Sequence, residues 1–145
     1  MKKIIVIAAS LLAMGFQTTH AQAETVEWTD CGSQARVNKV EVSGNSDRPL
    51  RLSPDKSYTI GVEFIPTATR DDMEIYLTAE TMLHSLDLPV PTHQVGPVKA
   101  GSPFTATVDF QVLLPEGTGF RLKAEITDEE DDMVVCALMD AKITA

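Results

Sequence analysis

The sequence predicts an all-β protein, folded as an antiparallel sandwich of about seven strands. Apolar residues recur at every second position between clusters of proline and glycine, which is the period of a strand with one buried face. No segment keeps a helical period of apolar residues over its length. Turn residues recur at short intervals without internal repeats or linkers, so we expect one domain whose sheets each have one wet side.

The predicted strands, taken in chain order, cover residues 26–31, 36–43, 57–65, 72–84, 104–112, 120–127 and 133–143. The strand at 57–65 has the clearest alternation, because Tyr58, Ile60, Val62 and Phe64 fall on one face. Residues 44–49 contain Asn, Ser, Asp and Pro and predict a polar turn. Pro89 and Pro91 break the pattern in mid-chain, since proline cannot lie inside a sheet.

The last predicted strand differs from the others because it is apolar on both faces. This pattern is typical of a strand that is covered on both sides or that faces lipid. The acidic residues 128–132 precede it and predict a solvated hairpin tip, since they lack the spacing and central glycine of a calcium loop.

Residues 1–23 have the order of parts of an export signal. Lys2 and Lys3 precede the apolar run 4–16, and a small-residue site, Ala21-Gln22-Ala23, follows. The apolar run is too short to span a membrane, which takes about 20 residues. We therefore expect cleavage after Ala23 and a domain of residues 24–145 that is secreted to the extracellular space or to the lumen of the endolysosomal system.

The charge of the predicted mature domain excludes one class of partner. Removal of Lys2 and Lys3 leaves ten basic against 21 acidic residues, a net charge of −11. Such a domain repels nucleic acid phosphates and is not attracted to anionic membranes. We expect a soluble monomer that does not bind nucleic acid.

Cys31 and Cys136 are the only two cysteines. In an oxidising compartment two lone thiols more often pair than stay free, and a bridge would join the first strand to the last. Closing so long a loop would stabilise the fold by about 4–5 kcal/mol in the chain-entropy model. The alternative is a pair of buried free thiols. A catalytic cysteine is disfavoured because no Cys-x-x-Cys motif or neighbouring base is present.

Catalytic and metal motifs are missing from the sequence. It contains neither Gly-x-Ser-x-Gly nor His-Glu-x-x-His, and its paired carboxylates all lie in charged runs. Met82, His84 and His93 are spaced too loosely to predict a copper site. We therefore expect no enzyme activity, catalytic residue, metal or cofactor.

Several short motifs share the spacing of a known family. They are Asp30-Cys31-Gly32-Ser33, Val40-Glu41-Val42-Ser43, Pro49, Leu52-Ser53 and Ser57-Tyr58, with Pro89, Pro91 and Cys136 further on. Over the predicted mature chain this pattern resembles the ML lipid-recognition domain family, which includes the Niemann–Pick type C sterol carrier and the group-two mite allergens. The resemblance implies an immunoglobulin-like sandwich of two antiparallel sheets that holds one lipid between them. It also implies that Cys31 pairs with Cys136.

The chain departs from the family pattern where other disulfides are usual. Asn45 and Leu50 stand where members have cysteines that close the turn after the second strand. A bridged loop in mid-chain is also missing. These departures lie near the implied pocket entrance, so the identity of the ligand does not carry over.

The candidate lipid-facing wall consists of large apolar residues on the predicted inward faces. They are Phe64, Leu77, Val108, Phe110, Phe120, Leu122 and Leu138. Phe120 also follows a loop that resembles the family's pocket entrance. We expect Phe64, Phe110 and Phe120 to line a cavity open at one end of the sandwich, because ligand pockets are mostly apolar.

The expected function is to bind one hydrophobic ligand, a sterol, fatty acid or other lipid, with transient contact to a membrane or receptor. The alternative is a filled immunoglobulin-like module that acts through protein contact, as an adhesin or immune ligand. The alternation of apolar and polar residues is the same in a lipid carrier and in a filled module. A contiguous apolar void between the sheets would favour the carrier.

Overall fold

A computed structural model describes residues 23–91 and 93–145. The predicted signal peptide lies outside the described residues, apart from Ala23. The described residues form the strands β1 (Ala23–Val26), β2 (Thr29–Asp30), β3 (Arg36–Ser43), β4 (Leu50–Leu52), β5 (Tyr58–Ile65), β6 (Met73–Glu80), β7 (Ser85–Leu88), β8 (Gln94–Val95), β9 (Phe104–Phe110), β10 (Gly119–Asp128) and β11 (Met133–Ile143). Across these two ranges, no helix has the length and apolar character needed to cross a membrane.

The strands form two sheets whose inner faces share one apolar core. The four-stranded sheet has the order β1-β3-β5-β9. The seven-stranded sheet has the order β2-β11-β10-β6-β7, with β4 beside β11 and β8 beside β6. Strand β4 runs parallel to β11, and the other pairs of named strands are antiparallel. The predicted all-β sandwich of two antiparallel sheets is confirmed.

The structure has more strands than predicted because four of them are very short. Strands β2, β4, β7 and β8 contain two, three, four and two residues, too few for alternation to be recognised in the sequence. The predicted strand at 26–31 is in fact divided. Its first residue ends β1 in one sheet, and the chain then crosses at Glu27 and Trp28 to β2 in the other sheet.

Apart from β6, which ends four residues early at Glu80, the long strands lie within about two residues of their predicted bounds. In β5, Tyr58, Ile60, Val62 and Phe64 are buried, while the residues between them are half-buried. Full burial of side chains of this size contributes about 1.5–3 kcal/mol each. The alternation therefore fixes which face of each sheet turns towards the other.

The residues before β3 run along the edge of β11, a strand whose residues 134–137 are buried on both faces. The backbone N–H groups of Gln34 and Ala35 donate to the carbonyl oxygen of Val134, both at 3.0 Å. Cys31 and Cys136 form the predicted disulfide, with Cα atoms 4.9 Å apart. This bridge joins the end of β2 to β11, so it lies within the seven-stranded sheet rather than between the sheets.

The residues around Cys31 form a turn that docks on the last strand. One carboxylate oxygen of Asp30 accepts the backbone N–H groups of Gly32 at 2.8 Å and Ser33 at 2.9 Å. These bonds, that of Gly32 first, hold the pKa of Asp30 below its usual value. The hydroxyl of Ser33 accepts the N–H of Cys136 at 2.8 Å. The motif thus orients the disulfide.

Candidate functional site

Six of the seven predicted wall residues lie together in the core between the sheets. The four-stranded sheet contributes Phe64, Val108 and Phe110, and the seven-stranded sheet contributes Leu77, Phe120 and Leu122. All six are buried. The structure therefore brings them together from both sheets, as the alternation of their strands predicts.

Leu138 does not belong to this set. It pairs with Lys123 on the outer face of the seven-stranded sheet, while the next residue, Met139, pairs with Leu122 and is 1% exposed. Leu138 is half-buried and lines a small surface pocket of about 170 Å³ beside Trp28. The prediction assigned the wrong face because alternation gives no orientation in a strand that is apolar on both faces.

The interior is closed rather than open at one end. Phe64 and Leu122 have no solvent-accessible surface, so no void that could hold a water molecule touches them. The ring of Phe64 packs edge-on against Phe104 with centroids 5.9 Å apart. The ring of Phe110 packs against Tyr58 at 6.0 Å. The expected cavity around the wall residues is therefore filled by side chains in this structure.

Phe120 reaches a surface pocket, as Leu77 does at another pocket of about 510 Å³ beside His93. The Phe120 pocket measures about 560 Å³ and lies at the end of the seven-stranded sheet, where β6 ends and β10 begins. Its apolar lining includes Phe120, Ala141, Pro49 and Met82. Charged side chains from the outer face of the sheet, Glu80, Arg121, Asp140 and Lys142, also line it. The pocket lining thus combines apolar and charged side chains.

Two large apolar side chains project beside this pocket, a feature that the sequence did not reveal. Met82 and Leu83 are 102% and 91% exposed in the turn between β6 and β7. The predicted strand at 72–84 ends at Glu80 instead, because Thr81 forms a turn. Its N–H and hydroxyl both donate to the carbonyl oxygen of His84 at 2.9 Å. The Thr81 hydroxyl was the available signal for this turn.

The far end of the sandwich holds a buried carboxylate. Asp128 was expected in a solvated tip, but it is 6% exposed and its carboxylate lies 2.5 Å from a guanidinium nitrogen of Arg70. Burial raises its pKa, but N–H bonds from Asp132 and Glu130 and the charge of Arg70 outweigh burial and lower the pKa. Residues 129–132 are exposed, as predicted for the rest of the tip.

The buried polar residues are placed away from the wall. Within the described ranges they are Asn45, in the turn after β3, and Asp128, at the end of β10. The outer face of the seven-stranded sheet carries ion pairs instead. Lys123 lies 2.9 Å from Glu80 and 2.8 Å from Glu125, and these hydrogen bonds raise its pKa. The sandwich therefore has an apolar interior and a charged exterior.

The described residues contain no group of at least three His, Cys, Asp or Glu side chains placed to hold a metal ion. His93 instead stacks on Tyr76, with centroids 5.2 Å apart, and its Nδ1 lies 3.1 Å from the carbonyl oxygen of Ile75. His84 lies in the exposed turn that Thr81 forms.

Two facing antiparallel sheets with one shared apolar core define the chain as a β-sandwich of the immunoglobulin-like class. The family model described as ML domain matches residues 25–143, and the chain belongs to this family. The family resemblance of its motifs is thereby confirmed.

Two solved structures match this chain at low sequence identity. A Niemann-Pick type C2 protein from the Japanese carpenter ant is 16% identical with a TM-score of 0.71, and the match covers 81% of this chain and 99% of that one. Chicken MD-1, solved in complex with lipid IVa, is 14% identical with a TM-score of 0.47, and the match covers 82% of this chain and 95% of that one. The ant protein shows that the two chains have the same sandwich fold.

Proposed function

We propose that this protein binds one hydrophobic molecule, a sterol, fatty acid or other lipid, between its two sheets and transfers it between membranes or to a receptor. The observation that supports this most is the interior of this ML domain. Both sheets contribute apolar side chains to it, and the buried polar residues of the described ranges, Asn45 and Asp128, lie at loops and strand ends. Such an interior suits a ligand without internal polar groups.

Uptake requires the sheets to move apart, because the interior is closed. The disulfide Cys31–Cys136 does not resist this movement, since it lies within one sheet. Phe120 links the interior to the surface pocket, so we place the entrance there. Burial of ligand surface at about 25 cal/mol per Å² drives uptake. No chemical step is involved, so the carrier needs no catalytic residue.

The turn at Met82 and Leu83 is the surface that we propose for transient membrane contact. Its two apolar side chains lie next to the entrance, and the turn that Thr81 forms leaves them exposed to solvent. Burial of a side chain of this size in an apolar phase contributes about 1.5–3 kcal/mol. Two such side chains suit brief binding rather than stable anchoring. The disulfide is consistent with secretion or with residence in the endolysosomal lumen.

A filled module that acts through protein contact is the second candidate. The zero exposure of Phe64 and Leu122 favours it, because a module of this kind needs no space between its sheets. Met82 and Leu83 would then contact a protein partner. The two functions differ in whether the interior takes up lipid.

The test combines lipid binding with transfer. Wild-type protein is titrated with fluorescent sterol, fatty acid and phospholipid, and native mass spectrometry identifies what it extracts from cells. Phe120→Ala should weaken binding and cost less stability than Phe64→Ala, because Phe120 borders the surface pocket and Phe64 is fully enclosed. Failure of the wild type to bind any lipid of the panel, together with a large stability loss in Phe120→Ala, would favour the filled module.

A second pair of variants separates transfer from binding. The double variant Met82→Ser, Leu83→Ser should slow lipid transfer between vesicles while leaving the affinity for soluble lipid unchanged. Asp131→Asn is the matched control, since Asp131 is exposed in the acidic tip of the hairpin β10–β11. Equal transfer rates in all three proteins would remove the proposed role of the turn.

A further inference from the structure

Strand β9 forms a long edge of the four-stranded sheet. It contains seven residues, Phe104–Phe110, and pairs with β5 on one side only. The other edge strands are shorter: β1 and β7 have four residues each, β4 has three, and β2 and β8 have two each. Among the described residues, no strand pairs with the outer edge of β9.

This edge lacks the features that usually prevent pairing with another chain. Proteins protect edge strands with prolines, lysines, bulges or short length. No proline or lysine lies within β9, and its pairing with β5 has no bulge. Its one charged residue, Asp109, is exposed. The backbone groups of this edge are therefore open to a further strand.

The sequence of β9 is complementary to itself in the antiparallel direction. When it is centred on Thr107, Phe104 meets Phe110 of the second copy and Ala106 meets Val108. Thr105 then meets Asp109, and Thr107 meets its own counterpart. Apolar residues oppose apolar residues on the inner face, and no two charges of like sign oppose each other on the outer face. This arrangement satisfies the pairing preferences of an antiparallel sheet.

We propose that β9 pairs with β9 of a second copy of this chain about a two-fold axis at Thr107, so that two four-stranded sheets become one continuous sheet. Asp109 is suited to the new contact. It already accepts a cross-strand hydrogen bond from the hydroxyl of Thr59 at 2.6 Å, and the hydroxyl of Thr105 in the second copy supplies another donor. The inference does not depend on lipid binding.

The proposed dimer revises the expectation of a monomer. It is weak and forms with rising concentration, because edge pairing alone buries less surface than a standard interface and the chains carry like net charge. Sedimentation of the oxidised protein at concentrations up to about 1 mM measures dimerisation directly. A weak complex has a dissociation constant of about this size. A monomer throughout this range overturns the proposal.

Single cysteine substitutions can determine the register in which the two copies of β9 pair. Thr107 and Thr105 are both exposed, so replacing either by cysteine leaves the core untouched and adds the one free thiol of the described chain. Opposed residues of an antiparallel pair have Cα atoms about 4.5–5.5 Å apart, within the range that a disulfide spans. Two copies of residue 105 would instead lie about 13 Å apart, four residues along the strand.

Thr107→Cys should therefore form disulfide-linked dimers under mild oxidation, and Thr105→Cys should not. An equimolar mixture of Thr105→Cys and Asp109→Cys should form the mixed dimer, because those two positions oppose each other. Equal crosslinking of Thr105→Cys and Thr107→Cys, or absence of the mixed dimer, would overturn the two-fold pairing at Thr107.

Discussion

Asn45 occupies a position where the family pattern has a disulfide cysteine, and its side-chain amide makes two hydrogen bonds to the backbone of Arg51. Its amide nitrogen donates to the carbonyl oxygen of Arg51 at 2.9 Å, and its amide oxygen accepts the N–H of Arg51 at 3.0 Å. Asn45 is 4% exposed. It follows β3 in one sheet, and Arg51 lies in β4 of the other sheet. The contact therefore closes the turn and ties the two sheets together.

We predict that Asn45→Ala lowers the free energy of unfolding by about 2–3 kcal/mol. Each lost hydrogen bond contributes about 1 kcal/mol, and the unpaired backbone groups of Arg51 add a further penalty. Water reaches part of this site because Arg51 is exposed, which keeps the penalty near the lower end of its range. Urea unfolding of the oxidised protein measures the change, with the m-value expected to stay constant.

Asn38→Ala is the matched control because it removes the same side chain from an exposed site. Asn38 makes one amide hydrogen bond, to the carboxylate of Glu63 at 3.2 Å. Its removal should change stability by less than about 0.5 kcal/mol. If Asn45→Ala destabilises the protein no more than Asn38→Ala does, the two hydrogen bonds of Asn45 do not replace the missing disulfide.

Three further predictions concern the bridge, the buried carboxylate and the core. Reduction of Cys31–Cys136 should lower the free energy of unfolding by about 4–5 kcal/mol, measured by urea unfolding with and without reductant; an unchanged midpoint would contradict this. The lowered pKa of Asp128 means that its charged form stabilises the fold at neutral pH, and that this contribution is lost as pH falls below about 4. Asp128→Asn should therefore lower the melting temperature at pH 7 but less at pH 3, unlike Asp131→Asn, which should match the wild type at both; a pH-independent loss would contradict this. Phe64→Ala should cost about 3–5 kcal/mol in urea unfolding, and a loss below about 1 kcal/mol would show that the interior is loosely packed.

The sequence predicted most where one face of a strand is apolar and the other polar. Strand β5 alternates strictly, so both its bounds and its inward face were clear. Strand β11 was located correctly, but Leu138 was assigned to the wrong face because residues 134–137 are buried on both faces of the strand. The alternation of apolar residues predicts which side chains are buried but not which part of the protein buries them. A strand covered on both sides therefore loses the signal that orients it.

Loops and strand ends were predicted less well, because their structure depends on partners distant in sequence. Asp128 lies in a run of acidic residues, and its burial follows from Arg70, which is 58 positions away. Leu83 continues the apolar alternation of β6, yet the local turn at Thr81 exposes it together with Met82. The surface pocket beside Phe120 likewise combines residues from separate parts of the chain and could not be predicted from any one of them.

The polar ties between the sheets constrain how the proposed uptake of lipid can proceed. Asn45 binds Arg51, and the hydroxyl of Tyr58 accepts the N–H of Ser53 at 2.7 Å, so both ties join the four-stranded sheet to residues in or next to β4. Strand β4 lies at the same edge as β2, which follows β1 after two residues. Strand β7 is therefore at the edge away from these ties, whereas β9 pairs directly with β5, the strand that carries Tyr58. If the sheets part to admit a ligand, they part on the β7 side, at the end of the Phe120 pocket that Met82 and Ser85 line rather than at Pro49, which precedes β4.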